Sequence, residues 1–303
     1  MRHLQEIVNA LQLAGIALRQ GEPLSRHTSF RIGGPVTVMA FPESAEQMQR
    51  TYEIARSYGV RPLLLGAGSN VLAPDEGLDT LLIETRTGMQ ALRDLGDGCI
   101  EAECGVTLAR LASFAMEHGY TGLEFAHGIP GTVGGGVYMN AGAYGGEISA
   151  VLESADLLLP SGSVRSLAAG DLSLSYRHSL LMEEPLVLLS ARFRLRPGDP
   201  EKIREEMAAL MARRRASQPL EYPSAGSTFK RPEGAYAGTL IQQCGLKGLK
   251  IGGAQVSEKH AGFVINAGGA SCRDVLAVME RVQKTVLEET GFLLEPEVRV
   301  LEA

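Results

Sequence analysis

His127–Glu147 reads HGIPGTVGGGVYMNAGAYGGE, with glycine at eight of its twenty-one positions. Glycine at that density disfavours both helix and strand, because each one loses the most conformational freedom on ordering. It also admits positive φ and lets a ligand come close to the main chain, and Pro130-Gly131 adds a turn. Main-chain N–H groups turned to one side and followed by a helix start form a nest for an anion, and a pyrophosphate suits it. The alternative is a solvated surface loop. Ile129, Val133, Val137, Tyr138 and Met139 argue against that, since such a loop has no use for so many apolar side chains. A ligand cradle is therefore expected here.

A second glycine turn, Gly66–Leu72 (GAGSNVL), follows the apolar run Pro62–Leu65 and reads as a strand entering a turn. Ser69 and Asn70 add side-chain donors beside the backbone amides, as phosphate oxygens require. Neither GxGxxG nor GxxxxGK[ST] occurs, so a Rossmann fingerprint and a P-loop are both unsupported. Two separate glycine turns point to a different nucleotide-binding fold.

The 303 residues allow one or two ordinary cores, and length favours two domains. A net charge of −6 argues against a nucleic-acid footprint. The four cysteines, Cys99, Cys104, Cys244 and Cys272, show no CxxC and no metal spacing with the six histidines, so no metal is expected and the thiols read as reduced. Charges at Arg2, Glu6 and Arg19 break the apolar pattern of the N-terminus, and no run approaches a membrane span. The expectation is a cytoplasmic, soluble protein that binds neither membrane nor nucleic acid.

Along the chain, Leu4, Ile7, Val8 and Leu11 predict an amphipathic helix ending near Gly21 and Pro23. Thr28–Ile32 reads as extended, Val36–Phe41 as a strand, and Ser44 with Gln47 as a capping box for a helix closed at Gly59. Thr80–Glu84 and Cys99–Cys104 read as strands and Thr107–His118 as a helix. Beyond the cradle, Val151–Leu159, Ser163–Leu167 and Leu186–Leu195 are turn-bounded strands with no long helix between them. That pattern is α+β, not doubly wound. Arg196-Pro197-Gly198-Asp199-Pro200 is the best linker. The helix after it carries Ile203, Met207, Leu210 and Met211 on one face and ends in Arg213-Arg214-Arg215, either a dipole-compensated terminus or a basic clamp for an anion. Tyr236–Gln243 reads as a helix, Gly262–Asn266 as a strand, Ser271 as the cap of a helix reaching Thr290, and Glu295–Leu301 as a final strand with Glu295, Glu297 and Arg299 on one face.

TSFRIGGP, GAGSNVL, GIPGTVGGGVYMNAGAYG, SYRHS, PSAGSTFKRP, HAGFVIN and LEPEVRVL follow one another over almost the whole chain. In that order and spacing they resemble the UDP-N-acetylenolpyruvoylglucosamine reductase family, in its shorter variety without the extra tyrosine-bearing loop. The resemblance implies an α+β protein with the FAD-binding fold of the vanillyl-alcohol-oxidase type. Its expected arrangement is an FAD-binding domain over 1–198, with subdomains at about 22–75 and 76–198, and an α+β substrate domain over 199–303 whose last strand returns Glu297 to the site. It also implies non-covalent FAD, NADPH as hydride donor and a UDP-sugar substrate; a monomer is expected.

Residue by residue, Ser227 matches the family's proton donor, Arg177 its arginine near the substrate carboxylate and Glu297 the glutamate of its acid–base set. Flavin contacts are expected at Gly66, Ala67, Gly68, Ser69, Asn70, Val71 and Leu72, and at Gly128, Ile129, Gly131, Thr132, Gly134 and Gly135. Substrate contacts are expected at Tyr176, Lys230, Arg215 and His260. One departure is Ser217, which stands where the family often has lysine, so the base that meets the diphosphate is left open. Another FAD-dependent oxidoreductase of the same fold would share the cradle without needing SAGSTFK and LEPEVRV together. A catalytically inactive UDP-sugar-binding protein would be expected to lack Ser227, Arg177 or Glu297, and all three are present.

Overall fold

The computed structural model describes residues 2–302. Helix α1 (Arg2–Leu13) ends at Gly15, where φ is +70°, earlier than the apolar spacing implied, because Ala17–Pro23 is drawn into strand β1. Thr28–Ile32 is a turn, not an extended segment. Arg31 has φ +56°, and the Thr28 hydroxyl donates to the Ile32 carbonyl at 2.9 Å. Next come β2 (Pro35–Phe41), α2 (Ala45–Ser57), β3 (Leu63–Leu65), β4 (Val71–Leu72), β5 (Leu78–Glu84), β6 (Leu92–Gly96) and β7 (Cys99–Glu103). Ser44 caps α2 by accepting from the Gln47 amide at 3.2 Å. Gln47 returns the contact one residue further out than a capping box would, to the amide of Glu43.

Helix α3 (Leu108–Glu117), capped by Thr107, leads through β8 (Tyr120–Thr121) into the glycine stretch. That stretch contains one short helix, α4 (Val133–Tyr138), and a two-stranded hairpin of β9 (Gly142–Ala143) and β10 (Gly146–Glu147). Strands β11 (Leu152–Leu158), β12 (Val164–Ala168) and β13 (Val187–Arg194) fall where the turn-bounded apolar runs predict. The chain continues with β14 (Arg196–Pro197), α5 (Pro200–Ser217), α6 (Ala237–Gln243), β15 (Lys250–Ile251), β16 (Ala254–Val256), β17 (Val264–Asn266), α7 (Cys272–Thr290) and β18 (Arg299–Val300). The final strand is shorter than expected because a bend at Val298 breaks the alternation.

Two compact units are present. The first takes residues up to Gln20, Val38–Ala67 and Thr80–Arg214, and the second takes Gly21–Thr37, Gly68–Asp79 and Arg215 onward. In the first, α1 and α2 bury Ile7, Val8, Leu11 and Ile54 against Val38 and Leu81, and β3 pairs with β5 in parallel. A second sheet there, ordered β12-β11-β13-β7-β6, is antiparallel throughout, and its core includes Leu108 and Leu111 of α3, Val133 and Val137 of α4, and Ile203 and Met207 of α5. The proline-rich joint is packed, not loose: β14 pairs with β8, and the Gly198 amide donates to the Gly119 carbonyl at 2.8 Å.

In the second unit, the sheet β15-β16-β17 carries α7, whose Val275, Val278, Val282 and Val286 are fully buried. Phe30, Ile32 and Leu72, from segments far earlier in the sequence, complete that core. Strand β18 pairs in parallel with β4, setting Arg299 beside Val71 and Val300 beside Leu72. Mixed helices and antiparallel sheets make the fold α+β, as the strand pattern predicts.

Candidate active site

In the first unit the cradle is fastened to the end of β7. The Val133 amide donates to Val106 O at 2.7 Å, Gly134 to Cys104 O at 2.8 Å, and Leu108 to Gly131 O at 2.9 Å. Thr132, buried, caps α4 by accepting from the Gly135 amide at 3.3 Å. The first-turn amides expected to face a ligand are therefore engaged inside the chain. At Gly66 a Cβ would stand 2.4 Å from the Thr132 hydroxyl oxygen, so the glycine turn and the cradle touch only because that residue has no side chain.

The second half of the stretch holds Arg177. Buried Asn140 donates to Ser175 O at 3.0 Å and accepts from the Ser149 amide at 2.9 Å, tying the cradle to the SYRHS turn. Ser175 and His178 exchange backbone hydrogen bonds of 3.2 and 3.1 Å, and between them Arg177 sits at φ +55°. A side chain other than glycine or asparagine at positive φ is strained, a condition concentrated at functional sites. The Arg177 guanidinium donates to Gly142 O at 3.2 Å and lies 4.9 Å from the ring of half-exposed Tyr176.

Three polar groups are gathered on this cradle, of which the sequence reading offers only Arg214, as one of a basic run that could clamp an anion. His127 Nδ1 and the Tyr144 hydroxyl are buried without a hydrogen-bond partner. Arg214 is buried, and among the described residues no carboxylate pairs with it. Its Cδ would lie 3.3 Å from a Cβ at Gly128. Burial pushes its guanidinium below the usual arginine range, with the nearby Tyr144 as the opposing influence. Arg213 stacks 5.1 Å from the Tyr144 ring. A buried cation and two orphaned polar atoms on a glycine-lined surface match the donors and charge that a dinucleotide pyrophosphate and a flavin edge need. The signal lay in the α5 periodicity: Arg214 follows Ile203, Met207 and Met211 down the buried face of that helix. Arg215, singled out from sequence, is exposed.

The second unit assembles Ser227, Glu297, Asn70 and Lys230. Exposed Ser227 follows Gly226, at φ +75°, and precedes Thr228, which is almost wholly buried. Thr228 is a hub. Its amide donates to Gly262 O at 2.8 Å, its hydroxyl accepts from Val264 N at 2.9 Å, and its carbonyl accepts from Glu297 N at 2.8 Å. Phe229 then bridges Pro296 antiparallel, so the serine turn and the glutamate segment run side by side. Lys230 makes an exposed pair with Glu295 at 3.3 Å. In the GAGSN turn, Asn70 donates its side-chain amide to Glu297 O at 3.1 Å, while the amides of Ala67, Gly68 and Ser69 donate to no group among the described residues. His260 accepts from the Gly262 amide at 3.1 Å and meets the Phe263 ring edge-on at 5.0 Å; burial lowers its pKa.

Among the described residues, no helix is long and apolar enough to cross a membrane, and no grouping of His, Cys, Asp and Glu is fit to hold a metal. The sequence model of the UDP-N-acetylenolpyruvoylglucosamine reductase C-terminal domain matches residues 218–301, and that of an FAD binding domain matches residues 36–168. A UDP-N-acetylenolpyruvoylglucosamine reductase from Agathobacter rectalis is 46% identical over 301 residues, covering 96% of this chain and 96% of its own. One from Syntrophomonas wolfei is 44% identical over 284 residues, covering 94% and 95%. The crystal structure of the Thermus caldophilus enzyme superposes with a TM-score of 0.80 at 33% identity, covering 95% of this chain and 99% of its own. A 4-ethylphenol oxidase from Gulosibacter chungangensis, at 16% identity and a TM-score of 0.50 over 65% of this chain and 43% of its own, shares the fold alone. Glycine cradle, serine turn and glutamate segment thus lie within similarity that runs nearly the length of the chain, and the chain belongs to the UDP-N-acetylenolpyruvoylglucosamine reductase family.

Proposed function

We propose that this protein reduces the enolpyruvyl group of UDP-N-acetylglucosamine-enolpyruvate to the lactyl ether, giving UDP-N-acetylmuramate for peptidoglycan synthesis, with FAD as cofactor and NADPH as hydride donor. The observation that carries this reading is the family membership along almost the full chain, joined to a cradle whose buried polar atoms suit that cofactor. Bound FAD supplies the hydride that adds to the enolpyruvyl methylene carbon.

The chain's own residues do the rest. Gly66–Leu72, together with Gly128, Ile129, Gly131, Thr132, Gly134 and Gly135, form the flavin surface in this reading, joined by His127, Tyr144 and Arg214. Negative charge developing beside the methylene spreads into the substrate carboxylate. Arg177, held in one orientation by its turn and by Gly142, stabilises that charge far better in a dry site than water would. Ser227 delivers a proton to the carbon, and Glu297 keeps the acid–base set in the required protonation state. Tyr176, Lys230, Arg215 and His260 orient the UDP-sugar.

Functionally, residues 1–198 are assigned to FAD binding, with Arg214 added from α5, and the rest of 199–303 to substrate binding, working as a cytoplasmic monomer. The unpaired state of all four cysteines fits a reducing compartment. The test is an absorbance spectrum of the desalted protein, taken before and after anaerobic NADPH and again after UDP-N-acetylglucosamine-enolpyruvate. Flavin bands bleached by NADPH and restored by the sugar nucleotide are expected. A colourless protein that takes up no FAD overturns the cofactor reading, and reoxidation by oxygen alone overturns the substrate.

A further inference from the structure

We infer that Asn70 is a positioning residue for Glu297, and that the glycine turn holding it is at once a cofactor surface and the anchor of the acid–base segment. The inference rests on the proposed role of Glu297. Its basis is the geometry around residue 297. The Asn70 side-chain amide donates to the Glu297 carbonyl at 3.1 Å, and the Asn70 carbonyl accepts from the Arg299 amide at 3.0 Å. One residue thus grips the chain on both sides of the bend at Val298. From the opposite side the Glu297 amide is fixed to Thr228, the neighbour of Ser227.

The peptide before Glu297 is thus set by the serine turn, and the one after it by Asn70 at its carbonyl, with only a long 3.5 Å contact from the Val298 amide to the same Thr228 carbonyl at its other end; the bend leaves no regular strand to set them instead. A rotated 297–298 peptide redirects the Cα–Cβ bond of Glu297, and a displacement of about 1 Å at a reacting group can lower a rate on the order of 100-fold. Further along, Leu301 N donates to Leu72 O at 2.9 Å and β18 pairs with β4, so the rest of the C-terminal segment is docked whether or not the Asn70 side chain is intact. Loss of that side chain is accordingly expected to disturb Glu297 and leave the segment in place.

The experiment is a double-mutant cycle on flavin-loaded protein, with Asn70→Asp, Glu297→Ala and the double variant. Flavin reduction by NADPH and reoxidation by UDP-N-acetylglucosamine-enolpyruvate are measured separately under anaerobic conditions. Asn70→Asp keeps the side-chain volume but replaces the donor with an oxygen that repels the carbonyl. It is expected to slow reoxidation at least tenfold more than reduction and to shift the pH profile of reoxidation. In the Glu297→Ala background the added loss should be under twofold. Equal slowing of both steps, or an undiminished loss when Glu297 is absent, overturns the inference. A Glu297→Ala protein that reoxidises at the unaltered rate instead overturns the role given to Glu297 itself. Should Asn70→Asp fail to fold, Asn70→Ser, whose hydroxyl falls short of the carbonyl, carries the same cycle with the same expected outcomes.

Discussion

Arg214 is the residue whose burial needs the most explanation. Taking a guanidinium out of water with no carboxylate beside it costs several kcal/mol in principle, and native chains seldom carry such a cost without a ligand to offset it. Replacement by methionine keeps most of the packing of the stem and removes the charge. For Arg214→Met the flavin-stripped protein is expected to be more stable, by about 1 kcal/mol or more, read as a higher urea midpoint. The same variant should bind FAD at least tenfold more weakly, about 1.4 kcal/mol, measured by titration of flavin fluorescence. Unchanged FAD affinity would remove Arg214 from the cofactor surface. Ser227 makes a contrasting prediction, because it contributes nothing to packing: Ser227→Ala should leave reduction by NADPH nearly intact and slow reoxidation by about 100-fold or more. Anaerobic stopped-flow absorbance separates the two steps, and equal slowing would exclude it as proton donor.

At the scale of elements, the N-terminus of α7 shows what a local pattern can and cannot reveal. Ser271 and Asp274 form a capping box, readable from the sequence because both partners lie within one turn. Asp75 is not readable, yet its carboxylate accepts from the Cys272 and Arg273 amides at 2.7 and 3.2 Å across nearly two hundred residues. The same division runs through the fold. Strands β11 to β13 and helices α2, α3 and α7 follow from periodicity and caps, whereas β6, β15 and β16 were missed because short strands beside glycine turns carry too little alternation. The turn at Thr28–Ile32 was misread because residues 28 to 32 satisfy one another through a threonine side chain. At the candidate site, motif order singles out Ser227, Arg177 and Glu297 and the basic run of α5 includes Arg214, while the unpartnered atoms of His127 and Tyr144 emerge only when the cradle closes on itself. The α7 cap also makes a pH prediction. Hydrogen bonds from Ser271 and then Gly253 hold the Asp274 carboxyl below its ordinary value. A depressed folded pKa gives stability that is present above the unfolded value, about 4, and is lost as pH falls through the lower folded one. Asp274→Asn should therefore be less stable than the parent near neutrality, with the gap closing below about pH 4. Urea midpoints taken across that range test it, and a gap that does not change with pH would refute it.

At the scale of the molecule, the second unit is discontinuous in sequence, and this bears on how the chain can be cut. Its core draws Phe30, Ile32 and Leu72 from two early segments, and β18 has β4 as its partner. A fragment beginning at residue 199 would keep α6, α7 and β15 to β17 but lose those three side chains and the partner strand. Burial of each large apolar side chain contributes about 1.5–3 kcal/mol, so roughly 5–9 kcal/mol would go with them. That loss is comparable to the whole stability of an ordinary domain, about 5–15 kcal/mol. The fragment would also begin with the whole of α5, whose Ile203 and Met207 belong to the core of the first unit and would be left exposed. The isolated 199–303 fragment is thus expected to show no cooperative thermal transition by circular dichroism and poor dispersion in its amide NMR spectrum. Restoring 21–37 and 68–79 through short linkers, with the chain starting at Arg215, should recover a sigmoidal transition. A cooperative melt from the bare fragment would mean that the early segments are ornaments of that core and not parts of it.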